Sequence, residues 1–207
     1  MTRDPIAQPI HAQSIGEFLD ALASKAPTPG GGASAAITGA TAAATACMVL
    51  SYSLGKKKLA EHESHNADAM NQLSLARAMF LQLAADDAAG YGELNALWML
   101  EKDDPKRVER WDDAVQGAIS PPRTMMVLGL EVLRVCETLV GTTNTMLRSD
   151  LGVAAVLAQA AARSAAWSVN INIPLLPQDH QQPMRDEVDR TLDACATICT
   201  KIETGCA

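Results

Sequence analysis

Hydrophobic positions along this chain recur at three- and four-residue intervals and almost nowhere alternate. Ser14-Ile15-Gly16-Glu17 has the Ser-x-x-Glu form of a capping box, and Ile15, Phe18, Leu19 and Leu22 follow at helical spacing. This predicts a first helix over about 15–25. Residues 33–54 are Ala, Gly, Thr and Ser with a few larger apolar residues, and no charge appears before Lys56. A helix of such small residues is one buried on all sides, where neighbouring backbones can approach closely. Gly55 reads as its stop. A third helix is expected from about 57 to 89, with Leu73, Ala76, Phe80 and Leu83 on one face. Gly90 and Gly92 are expected to loosen it before a short segment at 94–100.

Further on, Asp104-Pro105 reads as an N-cap with proline at the first helical position, opening a helix to about 118. Ser120-Pro121-Pro122 reads as another such start, leading to about 139. The stretch 141–148 is polar and turn-like. Ser149 is a suitable N-cap for a helix over 150–169. Pro174 and Pro177 close that region, and a last amphipathic helix is expected over about 182–203. Only 169–173 could be a strand. The pattern describes one all-α domain over residues 1–207, a bundle of about seven helices around a central small-residue helix, with 1–13 as a loose N-terminal arm.

Composition supports that picture. Aromatic residues are only 3% of the 207, so the core must be filled by Ala, Leu, Val, Ile and Met, which favour close-packed helices. A net charge of −7 argues against a nucleic-acid partner, which would need a basic face. The run 33–54 is long enough to span a membrane at about 20 residues. However, Thr38, Thr41, Thr45, Ser51 and Ser53 make it too polar for that reading, and no membrane association is expected. Five cysteines, an odd number without framework spacing, read as reduced thiols. Cys195 and Cys199 share a helical face, but no His flanks them and no metal site is expected. The N-terminus is polar and proline-broken, unlike a signal or transit peptide, so the expected location is cytoplasmic.

Against that background a few segments could carry chemistry. Pro27-Thr28-Pro29-Gly30-Gly31-Gly32 precedes a helix, and its unhindered N–H groups suit a carboxylate or phosphate; equally, it reads as a flexible linker. It is neither a Walker loop nor a dinucleotide fingerprint. Gly55-Lys56-Lys57-Lys58 reads either as a solvated helix end or as an anion-binding cluster. By helix rise it lies roughly 35 Å from the glycine run, too far for one small ligand to touch both within one subunit. Two antiparallel copies of the helix in a symmetric dimer could bring the two ends together. Asp86-Asp87 is either a partly buried pair with one pKa raised or two ordinary exposed acids. Ser149-Asp150 is explained by capping, Asn170 and Asn172 by turn formation, and His62 and His65 as surface histidines.

Taken in order, PTPGGGASAA, GKKK, DDAAGY, SDLGVAA and VNIN resemble the cyclodeaminase/cyclohydrolase family of folate one-carbon enzymes. The resemblance covers about Ser14 to Asp179. It implies an all-helical homodimer with folate bound in a cleft near the subunit interface. It implies a catalytic aspartate at Asp87, and a substrate-binding set of Pro29, Gly30, Gly31, Gly32, Ser34, Lys56, Lys57, Asp150 and Asn172. The chain departs from the family pattern at Met146, where an Asn is expected, at Gly90, where an Ala is expected, and at Ser168, again for an Asn. The expected activity is hydrolysis of 5,10-methenyltetrahydrofolate to 10-formyltetrahydrofolate, with no cofactor beyond the folate substrate. The alternatives are cyclodeamination of 5-formiminotetrahydrofolate with release of ammonia, and a non-catalytic folate-binding or oligomerisation module. The lack of a fused formiminotransferase domain in these residues tilts the expectation to hydrolysis.

Overall fold

The computed structural model describes residues 12–207. Six α-helices carry the fold: α1 (Ile15–Leu22), α2 (Gly31–Ser51), α3 (Glu63–Trp98), α4 (Pro105–Leu139), α5 (Arg148–Asn172) and α6 (Gln178–Cys206). Short 3-10 segments at Lys57–His62, Thr145–Leu147 and Ile173–Leu175 join some of them, and no strand occurs among the described residues. Most of the arm expected at 1–13 lies outside the described residues.

The central position of α2 follows from its composition. It packs against α3, α4 and α5. Ala35, Ala36, Ala42, Ala43, Ala46, Val49 and Leu50 on it are fully buried. Its hydroxyls do not compromise that burial, because Thr38, Thr41, Thr45 and Ser51 each donate to the carbonyl four residues back, at 2.7–2.9 Å. The helix is long and apolar enough to cross a membrane, yet 61% of its most apolar stretch is buried inside the bundle, as befits a core helix. Small residues also set the spacing of the layers. A Cβ on Gly39 would fall 2.4 Å from the ring of Phe80, and one on Gly129 would fall 3.0 Å from Ala162 Cβ. Phe80 on α3 is fully buried and fills the notch that Gly39 leaves.

α2 and α5 run antiparallel. At one end of the bundle Asn144, just before α5, donates its backbone N–H to Ser53 Oγ, just after α2, at 2.9 Å. The same end is tied to α3 through Asn66, whose Nδ2 donates to Thr142 O at 2.9 Å. Gly55 (φ +73°) and Gly141 (φ +83°) make the turns there, in a region that disfavours a side chain.

Several boundaries differ from the sequence pattern. α1 forms its capping box, with Glu17 N donating to Ser14 Oγ at 3.2 Å, but ends at Leu22. α3 continues unbroken through Gly90 and Gly92 to Trp98. Gly90 is not a hinge; it is buried against α4, where a Cβ would fall 2.2 Å from the Gly117 carbonyl oxygen. α4 begins as expected, with the Asp104 carboxylate accepting from Lys106 N at 2.9 Å. It then runs through Pro121 and Pro122, so one helix replaces two and the described residues hold six α-helices rather than about seven. The prolines are buried, and α4, packed against α3, α5 and α6, stays helical through the two missing hydrogen bonds. Ser149 is not an N-cap, because α5 starts at Arg148 and places Ser149 and Asp150 in its first turn. Residues 169–173 end α5 and begin a 3-10 turn, not a strand. The last helix starts at Gln178. All five cysteines are free thiols, and four of them are buried.

Because Phe80 interlocks with Gly39, Gly39→Ala should destabilise the fold by about 1–3 kcal/mol, the usual cost of overpacking a tight core. Urea denaturation checks this, and Gly39→Ala/Phe80→Leu should recover part of the loss. An unchanged midpoint for the single variant would refute the interlock.

Candidate active site

The end of the bundle away from Asn144 opens into a cleft of about 1170 Å³. Its floor is the α1–α2 connection, Pro27 to Gly31, running into the first turn of α2. One wall is the face of α3 that carries Asp87, Tyr91, Leu94, Asn95 and Trp98. These residues sit at helical intervals of four, seven, eight and eleven from Asp87, so a single stripe of one helix supplies the wall. Ala118 of α4 and Ser168, Ile171 and Asn172 at the end of α5 complete it. The volume exceeds the roughly 300–1,000 Å³ typical of small-molecule sites, so an extended ligand can be held.

Asp87 and Gly32 meet at the base of this cleft. A Cβ on Gly32 would lie 2.0 Å from Asp87 Oδ2 and 2.5 Å from its Cγ. The carboxyl group therefore occupies the space that any other residue at 32 would need. Gly30, the N-cap of α2, supplies no side-chain partner to the first-turn N–H groups. Asp87 has no hydrogen bond or ion pair among the described residues. Burial disfavours its charged form and pushes its pKa up from 3.8 to about 6. The neighbouring Asp86 is exposed and accepts from Gln82 Nε2 at 2.9 Å, so the acidic pair divides into one surface residue and one site residue.

The remaining candidates separate by location. Pro29, Gly30, Gly31, Gly32 and Asn172 line the cleft with Asp87. Ser34 does not; its hydroxyl donates back to Gly30 O at 3.3 Å. Lys56 and Lys57 are exposed beyond the far end of α2, about 30 Å away by helix rise. Asp150 sits in the first turn of α5, a similar distance from Asn172 in the last. One subunit thus assembles the glycine run, Asp87 and Asn172, and leaves the lysines and Asp150 at its opposite pole.

Tyr91, Asn95, Trp98 and Ala118 are lining residues that the pattern did not single out. The signal for the α3 set was their spacing from Asp87, obscured by the expected break at Gly90. Trp98 and Tyr91 are about half exposed, which gives the cleft an aromatic wall. Trp98 packs edge-on against Trp111, with centroids 5.7 Å apart. Arg107 lies over the Trp111 ring at 4.4 Å and donates to Leu100 O at 2.7 Å, bracing the end of α3.

A family model described as formiminotransferase-cyclodeaminase matches residues 14–190, which span Asp87, the glycine run and Asn172. The chain belongs to this family. Methenyltetrahydrofolate cyclohydrolase of Methylorubrum extorquens is 35% identical over 164 residues, covering 77% of this chain and 79% of that protein. Formimidoyltransferase-cyclodeaminase of Gallus gallus is 28% identical over 163 residues, covering 77% of this chain and 30% of the longer chicken protein. The crystal structure of formiminotetrahydrofolate cyclodeaminase from Thermotoga maritima shares the fold, with a TM-score of 0.86 at 24% identity over 95% of this chain and 96% of that one. The all-α architecture is thus that of the family.

Burial of Asp87 also has a consequence for stability. Its folded pKa is raised, so the protonated form suits the fold; that contribution is complete below about pH 4 and is lost as pH rises through about 6. Asp87→Asn removes the charge, and should raise the melting temperature at pH 8 relative to the unsubstituted protein while leaving it nearly level at pH 4. Thermal denaturation at both pH values is the check, and equal differences at the two would refute the burial of a charge at this position.

Proposed function

We propose that this protein hydrolyses 5,10-methenyltetrahydrofolate to 10-formyltetrahydrofolate, with Asp87 as general base. The observation that carries the reading is the partly buried carboxyl group of Asp87, with no hydrogen bond or ion pair among the described residues, lining a cleft whose volume of about 1170 Å³ can take a folate. The substrate is a cyclic amidinium cation. An ionised Asp87 stabilises that cation and takes a proton from water as it adds to the methenyl carbon. The bond from that carbon to the pterin nitrogen then breaks, and the pterin nitrogen takes the proton. The one-carbon unit stays on the aminobenzoyl nitrogen as a formyl group. Hydrolysis consumes only water. The aromatic wall of Tyr91 and Trp98 suits the flat rings of the substrate, and the first-turn N–H groups of α2 suit a carboxylate of its tail.

A second reading is supported by the names of the family and of the chicken and Thermotoga proteins. In cyclodeamination the aminobenzoyl nitrogen attacks the formimino carbon, the ring closes and ammonia leaves, with the same carboxyl group moving the proton. Methenyl absorbance and ammonia release, measured on the two substrates, separate the reactions.

The working unit in this reading is a homodimer that completes the cleft. The exposed stripes of the neighbouring helices α2 and α5 carry Thr41 and Met48, continued by Tyr52 just past the end of α2 and flanked by the half-buried Ile37, and Val153, Val156, Trp167 and Ile171. Arg163 is the one charge on the α5 stripe between Val153 and Ile171. Such a surface suits an interface between copies. Antiparallel apposition of two α2 helices sets Lys56 and Lys57 of one subunit near the glycine run of the other, where they meet the anionic tail.

Two outcomes test the proposal. Asp87→Asn should lower kcat by about 10²–10⁴-fold with KM within a few-fold, and kcat/KM of the unsubstituted protein should climb with pH through about 6 and then level as the base ionises. A few-fold loss in kcat would remove Asp87 from the mechanism. Val156→Glu, far from the cleft on α5, should convert the dimer to monomer in sedimentation and raise KM together. A dimer that persists, or a monomer with an unchanged KM, would refute the shared site.

A further inference from the structure

Two consecutive prolines in the middle of a buried helix leave one carbonyl in a special position. In an α-helix the carbonyl of residue i accepts from the N–H of i+4, or from i+3 where the turn tightens. For Ala118 those residues are Pro122 and Pro121, and neither has an N–H. Gly117 loses only one of its two potential donors, since Ser120 retains its N–H, and Ile119 retains that of Arg123. Ala118 is therefore the residue of α4 whose carbonyl is stripped of both helical partners, and it is buried in the wall of the cleft. An unpaired buried carbonyl is costly, so a donor from elsewhere is expected there.

Asn172 provides it. Its Nδ2 lies 3.5 Å from Ala118 O and 3.0 Å from Ser168 O. A carboxamide has two N–H donors on nitrogen and one acceptor oxygen. The amide nitrogen thus has two backbone oxygens to serve, Ser168 O at ordinary hydrogen-bond distance and Ala118 O at the long end of the range. The flipped orientation would set the amide oxygen against two carbonyl oxygens, so the network fixes which way the group points. Only the oxygen remains to meet a ligand.

We propose that Pro121-Pro122 is a positioning device for Asn172. By withholding helical donors from the Ala118 carbonyl, the prolines reserve it for the Asn172 amide, whose oxygen then stands in the cleft as a fixed acceptor for a ligand N–H. The identity of that ligand rests on the function proposed above. A reduced pterin carries ring N–H and amino donors of the kind this acceptor recognises. Asn172 is a binding group in this scheme, and the prolines act only through it.

The test compares Pro121→Ala/Pro122→Ala, Asn172→Ala and their combination. The proline double variant returns both helical donors to Ala118 O and should fold with equal or higher thermal stability. Its Asn172 side-chain amide signals, identified by their loss in Asn172→Ala, should shift and exchange faster with solvent. KM should rise about tenfold, corresponding to one binding hydrogen bond, with kcat little changed. Added to Asn172→Ala, the proline substitutions should do nothing further to KM. Unmoved amide signals, or effects on KM that add, would overturn the proposal, since prolines with a merely structural role would act independently of Asn172. If the double variant does not fold, Pro122→Ala alone restores the i+4 donor and is read in the same way. If the unsubstituted protein turns over neither folate, the proposed function fails, and the amide signals still decide the positioning claim. In the unsubstituted protein those protons should exchange more slowly than those of the largely solvent-facing Asn95, and equal exchange would overturn the proposal on its own.

Discussion

Everything in this molecule depends on how closely α2 can be approached. A helix built from Ala, Gly, Ser and Thr has little apolar surface per residue, so its burial is worthwhile only if its neighbours come near enough to leave no gaps. Glycines mark where helices come closest, at α2 and between the helices packed around it. Gly39 takes the Phe80 ring, Gly129 admits the backbone of α5, and Gly90 lets α3 rest on a carbonyl of α4. At Gly32 the same constraint turns from packing to chemistry. The atom pressed against the helix there is a carboxylate oxygen, and the tight fit that excludes a side chain at 32 also excludes much of the water that would stabilise the charge.

The cleft is thus a product of the bundle rather than an addition to it. Two features that conflict with helix formation serve it: the glycine run that ends the α1–α2 connection, and the proline pair within α4. Each withholds a side chain or a donor from the backbone. The first leaves the first-turn N–H groups of α2 without a side-chain cap, and the second leaves the Ala118 carbonyl to the Asn172 amide. Both cost local stability, and so does a partly buried acid with no partner among the described residues. Such costs are common where a fold accommodates a reaction.

Much of this was legible in the sequence, though unevenly. The all-α class and the central place of α2 followed from periodicity and from the absence of charge between residues 31 and 51. The glycine run, Asp87 and Asn172 were found as candidates and do come together. The break expected at Gly90 was wrong because a buried glycine in contact with a carbonyl is held by its neighbour, which local propensity cannot register. The helix start expected at Pro121 was wrong for the same reason: tertiary packing held α4 together across two missing bonds. Those two errors hid the α3 stripe of Tyr91, Asn95 and Trp98 and the role of Ala118. Lys56, Lys57 and Asp150 were grouped with the site by resemblance, while the single chain sets them at the other pole. In the proposed dimer they come to the cleft of the other copy.

The central claim is that the fold holds the Asp87 carboxyl against Gly32 in surroundings dry enough to raise its pKa. The most direct measurement is an NMR titration of the side-chain carboxyl carbon of Asp87, assigned by its loss in Asp87→Asn. The account predicts a midpoint of about 6 in the unliganded protein. A midpoint near 3.8, the ordinary value for an aspartate, would show a solvated surface acid and would contradict it.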